Sequence, residues 1–183
     1  MQAEVIRSRR KTLCVEIRNG QVIVRAPLRV SAAEISRFLE EKRPWIEKHL
    51  ARAAAQKEAA KDLPPLTEKE IRSLAEQAKA LFPDRVAYFA RLMGVTYGRI
   101  TIRCQRTRWG SCSSKGNLNF NCLLMLVPRD VADSVIVHEL CHRKYMTHSA
   151  AYYDEVLRVL PDYRVRDRWL KKNGPALMAR LVR

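Results

Sequence analysis

Histidine is scarce in this chain: four in 183 residues, at positions 49, 138, 142 and 148. No two of the five cysteines (14, 104, 112, 122 and 141) have the C-x-x-C spacing, which argues against a cysteine zinc site. The expectation is five free thiols in a reducing compartment, small and often buried. No apolar run approaches the length that spans a bilayer, so no membrane partner is expected. The stretch from Met1 to Arg7 lacks the apolar core of a signal peptide, and the expected location is the cytoplasm. Acidic residues are missing altogether between Asp84 and Asp130. That interval carries Arg85, Arg91, Arg99, Arg103, Arg106, Arg108, Lys115 and Arg129, in a chain whose net charge is +16. Such a field favours anionic partners, DNA or another polyanion first among them. A basic protein with no specific anionic partner would have the same composition. Arg103, Arg106 and Arg108 are accordingly candidates for anion binding, with a solvated face as the alternative.

What histidine there is, is concentrated. His138-Glu139-Leu140-Cys141-His142 reads H-E-x-x-H, and His148 follows six residues later. Residues four apart on an α-helix share a face, so His138 and His142 can aim two imidazoles at one point. Glu139, next to the first of them, can reach a water held there. This is the zinc-peptidase pattern, two histidine ligands and a glutamate general base. His148 would complete a three-ligand site with an open fourth position, which catalytic zinc needs and structural zinc does not. The plainer readings are a helix with packed polar histidines, and an exposed loop histidine at 148. Cys141 lies at an "x" position and reads as helix packing.

The rest of the chain divides softly near Leu63-Pro64-Pro65. The first part, 1–62, reads as a ββα module. Thr12 to Ile17 alternates apolar and polar, Asn19-Gly20 is a hairpin signal, and Gln21 to Ala26 returns. Ser31 and Glu34 form a capping box for a helix bearing Ile35, Phe38 and Leu39, and Pro44 suits the first turn of another. The second part, 66–183, begins with a capping box at Thr67 and Glu70; Pro83 is expected to break or kink the helix that follows, and Gly94 to cap its continuation. Arg99 to Cys104 alternates as a strand. Trp109 to Ser113 and Asn117 to Cys122 look like hairpin arms turned at Lys115-Gly116, with Leu118, Phe120 and Cys122 on one side. Pro128 opens the helix carrying the histidine motif. A helix from Ser149 stops at Pro161, and a last short one bearing Trp169 and Leu170 is expected to end at Gly174. The two parts can also pack as one unit.

With these pieces in place, the chain resembles the YgjP-like metallopeptidases, relatives of the SprT-like zinc proteases. The resemblance is carried by Trp109-Gly110-Ser111-Cys112, by Val137 to His142, by Thr147-His148-Ser149, by Tyr152-Tyr153, by Pro161-Asp162 and by Trp169-Leu170. It extends to the front segment from Ala26-Pro27 to Trp45-Ile46 and so covers nearly the whole chain. It implies an α+β, zincin-like fold: a small antiparallel or mixed sheet packed on the active-site helix, behind the N-terminal module. His138, His142 and His148 would hold zinc. Tyr145 stands where metzincins have a glycine, and no methionine turn is evident, so the chain is not placed among metzincins.

The implied chemistry is hydrolysis of peptide bonds in a protein or peptide substrate. Zinc on three neutral imidazoles would lower the pKa of a water at the open position toward about 7. Glu139 would take its proton and pass it to the leaving amine. Tyr152, Tyr153 and Asn119 are candidates for transition-state or substrate contacts, although aromatic packing is the better account of either tyrosine. The strand at 117–122 could hold an extended peptide by β-addition, or act only as a sheet strand on the active helix. Two further readings remain open: a protease brought to DNA by its basic surface, and a nucleic-acid-binding protein with structural zinc.

Overall fold

A computed structural model describes residues 3–18, 20–59, 61 and 63–181. The architecture is mixed α and β, with small sheets and six α-helices among the described residues. The chain divides into two compact units, Met1–Asp62 and Leu63–Arg183.

In the first unit, strands β1 (Glu4–Ser8), β2 (Cys14–Arg18) and β3 (Gln21–Pro27) form a sheet in the order β1-β3-β2. β2 and β3 pair antiparallel as the hairpin signal predicts. Gly20 takes φ 80°, a left-handed conformation open to glycine, while Asn19 lies outside the described residues. β1, which the ββα reading lacks, runs parallel to β3. It is almost wholly exposed and joins as an edge strand through main-chain hydrogen bonds, so it has no apolar alternation to betray it. Val24, Ala26 and Ile35 form the core of this unit. Helix α1 (Ala32–Glu41) starts at the Ser31–Glu34 capping box, and α2 (Arg43–Ala59) buries Ile46.

The second unit opens with α3 (Glu68–Met93), capped by Thr67 and Glu70 at one end and by Gly94 at φ 63° at the other. It runs unbroken through Pro83. Proline removes one N–H from the ladder, but Pro83 is exposed, as is Lys79, whose carbonyl it orphans to water. The buried stripe Leu74, Ala78, Phe82, Val86, Phe89 and Met93 continues in register on both sides and holds the helix together.

A second sheet contains β4 (Ile100–Arg103), β5 (Gly110–Cys112) and β6 (Leu118–Asn121), in the order β4-β6-β5. β5 and β6 are the expected hairpin, and β4 pairs parallel with β6. β6 is therefore the central strand with both edges occupied. That corrects the expectation that a peptide could add to the 117–122 arm. Leu118 and Phe120 enter the main core, but a 3-10 turn over Cys122–Leu126 diverts Cys122 into a second cluster with Leu66, Leu74, Leu123 and Leu181.

Helix α4 (Arg129–Cys141) follows Pro128 and packs against α3, β5, α5 (Ala150–Val159) and α6 (Tyr163–Ala179). A two-pronged ion pair from Arg85 to the buried Asp133 ties α3 to α4. α6 does not stop at Gly174. That glycine is buried for a different reason: a Cβ there would lie 2.8 Å from Cζ2 of Trp109, whose ring packs across the helix. Trp109 is half-buried and lies against both core clusters.

The connection from α4 to α5 is closed by Glu155, which accepts from Lys144 Nζ at 2.7 Å and Arg158 Nε at 2.9 Å. The Arg158 hydrogen bond first, and Lys144 after it, hold the Glu155 carboxyl at about 2, below its ordinary 4.5. A depressed carboxylate stabilises the fold above its unfolded pKa and loses that contribution as pH falls through the folded one. Glu155→Gln should therefore melt a few degrees below the parent at neutral pH. The gap should narrow between pH 4.5 and 2, as followed by thermal denaturation across a pH series.

Candidate metal centre

α4 places His138 and Glu139 in its last turn and His142 at its C-cap. The chain then turns back through Tyr145, and His148 arrives just before Ser149, whose side chain caps α5 by accepting from the Tyr152 N–H. One ligand atom from each of His138, His142 and His148 lies within 4.8 Å of the others. The Nε2 atoms of His138 and His148 are 3.2 Å apart. Two ligands on one tetrahedral ion at about 2.0–2.1 Å would stand roughly 3.3 Å apart. The three imidazoles thus fit a small divalent cation.

The opposite ring nitrogens set the tautomers. His142 Nδ1 lies 3.0 Å from the Tyr145 carbonyl oxygen, which can only accept, so Nδ1 carries the proton and Nε2 is bare. His138 Nδ1 shares a 2.9 Å hydrogen bond with the hydroxyl of Tyr163, a buried residue at the start of α6. Burial first, then His142 and His148, push His138 down to about 3; burial and His142 also lower His148. These shifts favour the neutral imidazole that binds metal.

Glu139 is only 5% exposed. Its side chain lies flat against β5 because position 110 has no side chain: a Cβ on Gly110 would fall 2.6 Å from Glu139 Oε1 and 2.8 Å from Cγ. The Trp109-Gly110-Ser111-Cys112 block and the H-E-x-x-H helix are thus two halves of one contact. Burial raises the Glu139 carboxyl to about 8, with Arg108 pulling the other way. Arg143, next to His142, secures the neighbouring loops by donating to the carbonyls of Thr96 at 2.9 Å and Ser114 at 3.2 Å. Gly116 makes room for that guanidinium and adopts φ 81°.

The remaining candidates separate clearly. Tyr152 is fully buried, its ring centroid 4.8–5.4 Å from all three imidazoles, and its hydroxyl donates to the His138 carbonyl at 3.0 Å. It walls the cluster and holds the end of α4 rather than facing a substrate. Asn119, on the central strand, donates its amide to Ser111 Oγ at 3.1 Å and is likewise engaged within the sheet. Tyr153 is 40% exposed, with its ring 6.2 Å from that of His148, and stands at the rim. Arg103, Arg106 and Arg108 are exposed. Cys141 is buried, and its thiol donates to the Tyr152 carbonyl, so it packs as expected. Tyr163 was missed. It lies 25 residues from His138, and no spacing rule joins them. The only available signal is that a metal-binding histidine needs a partner for its second nitrogen.

The family described as "YgjP-like, metallopeptidase domain" matches residues 11–72 and 62–173. No match was found among curated proteins. Among solved structures, the metallopeptidase zymogen abylysin of Pyrococcus abyssi is 21% identical, with a TM-score of 0.46, over 50% of this chain and 94% of that one. The metallopeptidase zymogen jannalysin of Methanocaldococcus jannaschii is 16% identical, also with a TM-score of 0.46, over 50% of this chain and 95% of that one.

Two substitutions test this geometry. Tyr163→Phe removes the partner of His138 Nδ1 and should weaken affinity for an added divalent cation about 10- to 100-fold in a competition titration against a chelator. Gly110→Ala should displace the Glu139 carboxyl while leaving metal stoichiometry intact. The displacement should be read directly, as a changed Glu139 side-chain position in a crystal structure of the variant.

Proposed function

The chain belongs to the YgjP-like metallopeptidase family, and on that premise we propose that it is a zinc-dependent peptidase with Glu139 as its general base. The observation that carries this reading is the convergence of three imidazole nitrogens within 4.8 Å beside a carboxyl group held in place against Gly110. His138, His142 and His148 hold the metal through nitrogens whose opposite ring positions are engaged or lowered in basicity as described. Three neutral protein ligands leave a coordination position open, as catalytic rather than structural zinc requires. When bound, the ion supplies Lewis acidity that polarises the scissile carbonyl and acidifies water.

The protein's own groups do the rest. Glu139, seated against Gly110 in the turn that carries His138, takes a proton from the attacking water and returns it to the leaving nitrogen. The fold supports a zincin-like arrangement, with β5 packed along the helix that carries the base. β5 has a strand partner on one side only among the described residues. An extended protein or peptide substrate laid along its other edge would pass the base at Gly110. No helix among the described residues is long and apolar enough to cross a membrane. The five unpaired cysteines agree with a cytoplasmic location.

The direct experiment is Glu139→Gln in zinc-loaded protein. Zinc content measured by atomic emission should match the parent, while hydrolysis of an unfolded protein substrate should fall on the order of 100- to 10,000-fold. A variant that cleaved at the parental rate would remove Glu139 from the mechanism.

A further inference from the structure

The cations around the imidazoles are mostly committed. Lys144 and Arg158 close on Glu155, Lys171 on Asp167, and Arg143 on two backbone carbonyls. Arg108 differs. It is exposed and has no carboxylate partner among the described residues. Yet its main chain is fixed. The amide of Asn121, fully buried on the central strand, donates to the carbonyls of Gln105 at 2.6 Å and Arg108 at 3.0 Å. Two residues further on, Gly110 begins β5 against the Glu139 carboxyl. The rim beside α5 has another character: Tyr153 and Met146, 40% and 55% exposed, stand close to His148 in space and in sequence.

A guanidinium on an anchored loop, free of any internal partner, offers planar two-pronged recognition to a carboxylate brought in by a ligand. Glu139 does not satisfy it, since no ion pair joins the two. Arg103 and Arg106 on the same acid-free stretch add to the field. A nucleic-acid track would need cations spread along a surface away from the base. Arg108 instead stands on the anchored loop two residues before the Gly110–Glu139 contact, which favours a peptide lying along β5 at that contact. We propose that Arg108 is a specificity-determining residue that engages an acidic side chain near the scissile bond, so that this chain acts on acidic peptide segments. The proposal rests on the peptidase reading above.

The test uses zinc-loaded Glu139→Gln protein and fluorescent peptides of equal length, one acidic, one neutral and one basic, followed by anisotropy. The acidic peptide should bind about tenfold more tightly than the neutral one, the scale of one charge-assisted hydrogen bond. Adding Arg108→Gln should erase that ratio, and Arg108→Glu should reverse it in favour of the basic peptide, which a merely structural role for Arg108 would not do. Equal binding of acidic and neutral peptides, or an acidic preference that survives Arg108→Glu, overturns the proposal. So does displacement of the acidic peptide by short duplex DNA at equal or lower concentration, which would reassign the arginine to phosphate. Cleavage assays with Glu139 intact separate the two readings. Acidic-peptide binding with no cleavage of any peptide sinks the peptidase reading and leaves the assignment of Arg108; cleavage without charge preference does the reverse.

Discussion

Helix α4 is buried from Val131 to Cys141 apart from the half-buried His138, and each polar side chain so placed carries a desolvation cost that partners reduce. Asp133 meets Arg85, and Ser134 donates to the Val131 carbonyl at 2.6 Å. His138 meets Tyr163, and Glu139 occupies the gap left by the missing side chain at Gly110. The same desolvation sets the chemistry. It favours the neutral imidazole at His138 and raises the proton affinity of the Glu139 carboxyl.

Much of this could be read from the sequence because it is local. Four-residue spacing on a helix brings His138 and His142 together whatever surrounds them. The capping boxes at Ser31 and Thr67 are closed within three residues, and both form. The hairpin of β5 and β6 follows from a glycine turn between two alternating arms. The parts that could not be read depend on partners distant in sequence. Tyr163 reaches His138 across 25 residues, and β4 takes the far edge of β6, which turns an apparent peptide-binding edge into an interior strand. Tyr152 stands where its residue type suggested a substrate contact, but burial and the His138 carbonyl claim its ring and hydroxyl.

Glycine and proline signals divide: Gly20, Gly94 and Gly116 take the left-handed backbone expected of a turn or cap, whereas two other positions do not end their helices. Gly174 and Pro83 carry local signals for ending helices, and neither does so. In each case packing outweighs propensity: an apolar stripe spans Pro83, and the Trp109 ring claims the space at Gly174. Gly110 has no turn to make either. Its value is the volume it leaves empty, which only the position of Glu139 reveals. A glycine within a motif thus has three separate meanings, left-handed backbone, chain end or close approach, and only the neighbours decide among them.

His148 comes from outside the helix that supplies the other two imidazoles, at the threshold of α5. A cation held by all three would therefore act as a clasp between two helices, in parallel with the Lys144–Glu155 bridge across the same connection. Occupancy and local order become linked: whatever binds only the closed arrangement deepens its well by mass action, and α5 is the element whose amide exchange would register the clasp opening.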